Sequence, residues 1–305
     1  MDAKRIFCFW EPQGAITPYL ELCLRTWELN APGYEIVRLD HSNLDRYVPK
    51  ETYDMSTLLQ LDLALQKDAI MVAVLEKHGG IFMDVDTLVT KDLSPIVQGL
   101  ARTEAIMFDS HVAFIAARPG ARLLTCWLKR VQKRLARLNQ SDPPRPAWDY
   151  IGNRGLADAM ADMTGASPLA RAYERILATQ AAWPRWARSA WQSIPGRIWA
   201  RRNDVLFLTT YRKFLTMLDR ERHGFIAESR YFRDPKADRR QQYLEFWFVD
   251  RHDAAIAFPA NQRLIALHNS WTPEWYKRLT IEEVLAHPCL LSRTIRDILT
   301  TRARL

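Results

Sequence analysis

Gly79-Gly80-Ile81-Phe82-Met83-Asp84-Val85-Asp86-Thr87 joins a glycine pair, an apolar run and two carboxylates in one short stretch. Upstream of it, Leu58, Leu61, Leu65, Ala69, Val72 and Leu75 recur at helical spacing, which predicts a single helix from about Met55 to His78. Glycine accepts positive φ without penalty, so Gly79-Gly80 is a natural stop for that helix. Ile81-Phe82-Met83 suits a buried strand. If Asp84 to Asp86 continue it, the two-residue period puts both carboxylates on one side with Val85 opposite. Two anions so placed repel unless a cation lies between or beside them, which points to a hard divalent ion or to the phosphate that such an ion accompanies. Asp-x-Asp alone is more often a solvated turn or a helix cap than a metal site. The glycine pair and the buried run make the segment more specific, and the carboxyl end of an α/β strand is where ligands collect.

The preceding text supplies a framework for that strand. Arg5-Ile6-Phe7-Cys8-Phe9-Trp10 is an apolar, aromatic run closed by Glu11-Pro12-Gln13-Gly14, as for a central first strand ending in a loop. Thr17-Pro18 opens a helix with Leu20, Cys23, Leu24 and Trp27 on its inner face, stopped near Ala31-Pro32-Gly33. Tyr34 to Leu39 alternates as a second strand. A strand, helix and strand of these lengths make a right-handed parallel unit, so the fold class is α/β.

With 305 residues, 48% hydrophobic and 26% charged, the chain can bury a full core, and one domain with an insertion fits the length. The four cysteines (Cys8, Cys23, Cys126, Cys289) lack paired spacing and the N-terminus runs directly into a strand. A cytoplasmic protein with buried thiols is the expectation. No apolar run approaches the roughly 20 residues that cross a bilayer.

The net charge of +8 is regional. Residues 118–140 hold seven basic side chains and no acid, and residues 183–202 hold five and no acid. The first set falls on a helix opened by Pro119-Gly120 and reaching about Asn139. Its apolar stripe (Leu124, Val131, Leu135) implies a core side and a strongly positive outer side. In residues 140–202, read as an inserted helical subdomain, Trp183, Trp186, Trp191 and Trp199 interleave with arginines. That pattern suits the headgroup layer of an anionic membrane, and equally a helix-packing face with a solvated basic edge. No nucleic-acid motif accompanies it.

After the opening stretch, Glu104 to Phe108 and Val112 to Ala116 read as strands, as does Leu264 to Leu267 beyond the insertion. Leu244 to Val249 reads as a strand or a short buried helix. The apolar run from Leu264 ends in His268-Asn269-Ser270-Trp271, a design like that of the opening stretch.

Taken together, Arg5 to Glu11, Cys23-Leu24-Arg25-Thr26-Trp27-Glu28, Tyr34 to Asp40, Gly79 to Asp86 with its Leu93-Ser94-Pro95 tail, and His268 to Trp271 resemble bacterial capsular polysaccharide synthesis glycosyltransferases. These are related to the DXD-containing sugar transferases of glycosyltransferase family 32. The resemblance implies a GT-A-like fold (a Rossmann-type mixed sheet flanked by helices), a nucleotide-sugar donor, and manganese or magnesium. It implies that Asp84 faces the ribose and donor sugar and that Asp86 ligates the metal, with His268 as a further ligand suited to manganese. Trp10 would stack near the base, with Asp68, Gly80 and Trp271 completing the donor pocket. The family carries Ser-Asp-x-x-Arg before its glycines. Asp68 keeps the aspartate here, Met71 stands where arginine is expected, and Lys67 offers a charge that points in a different direction. Thr209 to Arg212 replaces a Thr-Gly-Pro turn, and Val112 stands at a usually polar position.

The function so implied is hexosyl transfer with retention, from a nucleotide-sugar to a saccharide or lipid-linked saccharide in capsule or surface polysaccharide synthesis. The enzyme would lie peripherally on the inner face of the plasma membrane. Lys277 would be a phosphate partner, or a solvated surface lysine. The competing readings are a catalytically silent relative that binds a saccharide or partner, and a toxin-like protein glycosyltransferase.

Overall fold

The computed structural model describes residues 4–108, 111–139, 146–163, 214–218, 224–226, 232, 234, 236–249 and 261–301. The Trp/Arg-rich stretch 183–202, Thr209 to Arg212 and most of the expected insertion lie outside those residues.

Strand β1 (Arg5–Phe9), helix α1 (Pro18–Asn30) and strand β2 (Glu35–Leu39) form the expected parallel unit, with Arg5 opposite Glu35 and Phe9 opposite Leu39. The helical text from Met55 does not run through. It splits into α2 (Met55–Leu58) and α3 (Leu63–His78). The break is stabilised locally: the Gln66 amide donates to the carbonyl of Leu61 at 2.7 Å, and Asp62 starts the new helix by accepting from the N–H groups of Leu65 and Gln66. From Leu65 to Leu75 helix α3 is buried nearly all round, as befits a helix enclosed between other elements.

Gly79 ends α3 at φ 63°, its N–H on the Leu75 carbonyl, and Gly80 opens β3 (Gly80–Met83) at φ 98°. Any side chain at Gly80 would put its Cβ 2.8 Å from the carbonyl oxygen of Arg5, so both glycines answer a backbone demand. β4 (Thr87–Val89), α4 (Ser94–Val97), β5 (Ala105–Phe108), β6 (His111–Ala117), α5 (Arg122–Leu138) and α6 (Asn153–Met163) follow. After them come β7 (Leu215–Leu218), β8 (Phe225–Ile226), α7 (Arg239–Phe248), β9 (Leu264–Ala266), α8 (Glu274–Lys277), α9 (Ile281–Ala286) and α10 (Leu290–Thr301). The Leu244 to Val249 text, readable as strand or helix, belongs to α7, started by the Asp238 side chain accepting from Gln241 N–H.

The main sheet has the order β2-β1-β3-β6-β5-β7, parallel in its first three strands and mixed beyond, and a small second sheet has the order β4-β9-β8. This is a mixed α/β fold with a six-stranded sheet flanked by helices. Alternation along β1 divides the core: Ile6 and Cys8 pack with α1 and α10 on one face, and Phe7 and Phe9 pack with α3 and α5 on the other. Cys8, Cys23 and Cys289 are buried free thiols, as composition implied, while Cys126 is half-buried.

The outer side of α5 is less positive than its sequence implies. Arg130 and Arg134 turn inward to pair with Asp162 and Asp158 of α6, and Arg122 pairs with Glu104. The acids that neutralise them lie outside residues 118–140, where a local charge count cannot find them.

Candidate active site

The opening stretch does not stay extended through its carboxylates. β3 ends at Met83, and the N–H of Thr87 reaches back to the carbonyl of Asp84 at 3.1 Å, closing a four-residue turn. Beyond the turn, β4 starts a different sheet. Helix α1 holds it there: the Trp27 indole donates to Thr87 O at 2.6 Å, Asn30 donates to Val89 O, and the Thr26 hydroxyl accepts from Val89 N–H. Asp84 and Asp86 still face one cleft, through a turn between two sheets and not through strand alternation.

Pairing of β4 with β9 brings the C-terminal cluster to that cleft. Thr87 lies opposite Ala266 in an antiparallel ladder, and the Leu267 N–H bonds the Asp86 carbonyl. The next residues therefore arrive beside the carboxylates. Asn269 N–H donates to Asp86 Oδ2 at 2.7 Å, and the Asn269 side chain accepts from the Tyr19 hydroxyl. The His268 ring rests on Trp271 (centroids 4.3 Å apart), and its backbone N–H donates to the Tyr243 hydroxyl, which also bonds Thr272.

The two carboxylates sit in different electrostatic settings. Lys67 Nζ lies 2.9 Å from Asp84 and 2.8 Å from Asp68 and is largely withdrawn from water. Burial works against its charge, yet the two carboxylates outweigh that and hold its pKa above the ordinary lysine value. Burial also raises the pKa of Asp68, against the pull of Lys67. Among the described residues no cation lies at contact distance from Asp86. Burial and then the Asp84 charge push its pKa up to about 6, against the opposing Asn269 hydrogen bond.

The direction expected for Lys67 is corrected by this geometry. Residues four apart on a helix share a face, so Lys67 occupies the same side of α3 as position 71, one turn nearer the N-terminus. Met71 itself is fully buried in the core.

Two cavities share the floor formed by Lys67, Asp84, Asp86, Asn269 and Ser270. One, of about 390 Å³, is walled by Phe9, Trp10, Glu11 and Leu63. The other, of about 650 Å³, is walled by His111, Trp148, Arg239, His268 and Trp271, with Asp68 at its inner end. Trp10, Asp68, Asp84, Asp86, His268 and Trp271 are thus brought to one cleft, on both sides of its floor. Gly80 is not. It lies at the far end of β3, about 13 Å from Asp84 along the strand. Lys277 is also elsewhere, paired with Glu274 at 2.7 Å. Tyr19, Tyr243, Asn269, Trp148 and Arg239 had no local signal marking them; only Asn269, beside His268, lay next to a residue already singled out.

Among the described residues no group of three or more His, Cys, Asp or Glu side chains is arranged to hold a metal ion. Magnesium-type sites, however, commonly use one or two carboxylates, water and substrate phosphate. Asp84 and Asp86 fit that mode. Each engages one oxygen in an interaction noted above, and the raised pKa of Asp86 marks a carboxylate that a nearby cation would favour in its charged form.

Residues 1–117 match the capsular polysaccharide synthesis protein family. The matched segment ends with the last residue of β6, so it contains Trp10, Lys67, Asp68, Asp84 and Asp86 and omits the α7 and β9 side of the cleft. A solved structure titled "PaToxG Glycosyltransferase" is similar at a TM-score of 0.36 and 14% identity, over 69% of this chain and 76% of that one. No curated protein matches the sequence.

Proposed function

We propose that the chain is a glycosyltransferase that moves a sugar from a nucleotide-sugar to a saccharide or lipid-linked saccharide in capsule or surface polysaccharide synthesis. One observation carries the reading: the two carboxylates of the family-matched segment form the common floor of an aromatic-walled chamber and a larger polar one. Trp10, Phe9 and Leu63 offer the flat apolar walls that a nucleoside needs. Lys67, Asp68 and Asp84 offer donors and acceptors for ribose and sugar hydroxyls.

Asp86, with His268, would hold manganese or magnesium, which when bound supplies positive charge against the anion growing on a leaving diphosphate. The carboxylates orient and bind; none is assigned as a nucleophile, and retention by front-side attack on a hexosyl donor is the accompanying proposal. Met71 and the altered turn at Thr209 to Arg212, which lies outside the described residues, are the reasons to consider a catalytically silent relative. Lys67 places a cation against Asp68 and Asp84 from one turn earlier, which weakens the reason from Met71.

Turnover of a panel of UDP-, GDP- and CDP-sugars with manganese, by wild type and Asp86→Ala, tests the reading. Hydrolysis of one donor that requires both metal and Asp86 supports it. No turnover of any donor together with no metal binding overturns it.

No helix among the described residues is long and apolar enough to cross a membrane. Peripheral attachment to an anionic cytoplasmic leaflet is therefore proposed through the basic segments. Residues 183–202 lie outside the described residues, and on α5 it falls to Lys129, Lys133 and Arg137, since Arg130 and Arg134 are paired. Flotation with anionic vesicles but not neutral ones is the expected result, and equal flotation with both would overturn it.

A further inference from the structure

The larger chamber has a wall that the donor does not account for. Trp148 leaves 73% of its surface in water although tryptophan is among the most buried side chains, and its indole makes no ring contact among the described residues. An exposed flat indole lining a polar cavity suits a ligand with one apolar face and a hydroxylated rim, which describes a pyranose ring. Across the same chamber Arg239 stands at the first turn of α7. Its guanidinium lies over the Phe232 ring at 5.4 Å, and it pairs with no carboxylate among the described residues. Lys67, the other cation lining the chamber, is already held by Asp68 and Asp84. Among the described residues Arg239 is therefore the wall's cation without a carboxylate partner, and its planar fork matches a carboxylate in two parallel hydrogen bonds. Asp84 and Asp86 lie at the shared floor and Asp68 at the inner end of this chamber.

We propose that the larger chamber binds an acidic saccharide acceptor, with Trp148 stacking on a pyranose ring and Arg239 pairing with a carboxylate on the sugar. This rests on the transferase reading, in which the chamber beside Trp10 takes the donor nucleoside.

The test is calorimetric binding of a glucuronate-containing tetrasaccharide and of its carboxyl-reduced counterpart to the full chain, without nucleotide or metal. Neither step requires turnover, so the result is separable from that of the donor panel. The acidic sugar should bind about tenfold more tightly, as expected for a charge-assisted pair. Arg239→Gln should abolish the difference and Arg239→Lys keep part of it, while Trp148→Ala should weaken both sugars alike. Both side chains are exposed, so neither change should disturb folding. Equal binding of the two sugars, no binding of either, or a difference that survives Arg239→Gln would overturn the proposal. So would Arg239→Gln weakening binding of UDP with manganese while leaving the saccharide unaffected, which would assign the arginine to the donor diphosphate.

Discussion

The two sides of the cleft floor solve the same electrostatic problem differently. On the α3 side, Asp84 is balanced by the buried ammonium of Lys67, which also holds Asp68. On the β9 side, Asp86 receives among the described residues a backbone N–H, from Asn269, in place of a cation, and its pKa rises to about 6. A side chain answered by a full charge is fixed in place as part of the structure. A carboxylate left short of positive charge is one that a bound cation can complete. Neighbouring aspartates in one motif are thus unequal, and substitutions at each should separate them.

The largest expected effect is at Asp86. Asp86→Asn should lower metal-dependent turnover by about a thousandfold, the scale of removing a group that supports charge in the transition state. In the presence of a chelator the same change should stabilise the fold by about 1 kcal/mol at neutral pH, because asparagine keeps the acceptor for Asn269 N–H and removes the repulsion with Asp84. The pH sign follows from the raised pKa. Between about pH 4 and 6 the folded state binds the Asp86 proton more tightly than the unfolded chain, so wild-type stability falls as pH rises through that window. The advantage of Asp86→Asn should therefore vanish below about pH 4. Asp84→Asn should act in the opposite direction, costing about 1 kcal/mol by taking one partner from Lys67. Chemical denaturation of the two variants across pH checks both signs, and equal shifts would erase the distinction.

Next in size is Lys67. Lys67→Met leaves Asp68 and Asp84 without their cation in a site largely closed to water, and should cost about 3 kcal/mol in urea denaturation. Adding Asp68→Asn should restore a large part of the loss, since the uncompensated charge is the main penalty. A loss below about 1 kcal/mol would show the group to be solvated like a surface pair.

Lys67 also marks where the sequence stops being legible. Local text is enough for the parallel unit β1-α1-β2, for the glycine stop of α3 and for marking Asp84 and Asp86, all of which depend on period and punctuation. His268 is marked only by the family resemblance. The side of α3 that Lys67 occupies follows from its four-residue spacing from position 71, whereas its pairing with Asp68 and Asp84 does not. Other features needed tertiary pairing. The turn that ends β3 at Met83 exists because β4 leaves for a second sheet, which Trp27, Asn30 and Thr26 of α1 stabilise from some sixty residues away in sequence. Tyr243 and Asn269 enter the site only because β9 lies against β4. The charge of α5 depends on tertiary pairing in the same way, since the acids that pair with Arg130 and Arg134 are on α6.

The smallest expected effect lies in the chamber beside Trp10, where the difference between the two sides should disappear. Trp10 is half-buried, and its indole N–H is enclosed without a hydrogen-bond acceptor among the described residues. Replacement by phenylalanine removes that unsatisfied donor along with part of the ring, so lost packing is offset and stability should change by less than about 1 kcal/mol. Nucleotide binding should nevertheless weaken about threefold to tenfold, because the flat wall facing the cavity becomes smaller. Titration of UDP and GDP with manganese into both proteins measures this, and the loss should be the same whether Asp84 or Asp86 is also replaced by asparagine. Unchanged nucleotide affinity with an altered unfolding midpoint would make Trp10 a core residue and leave the smaller chamber without a base-stacking wall.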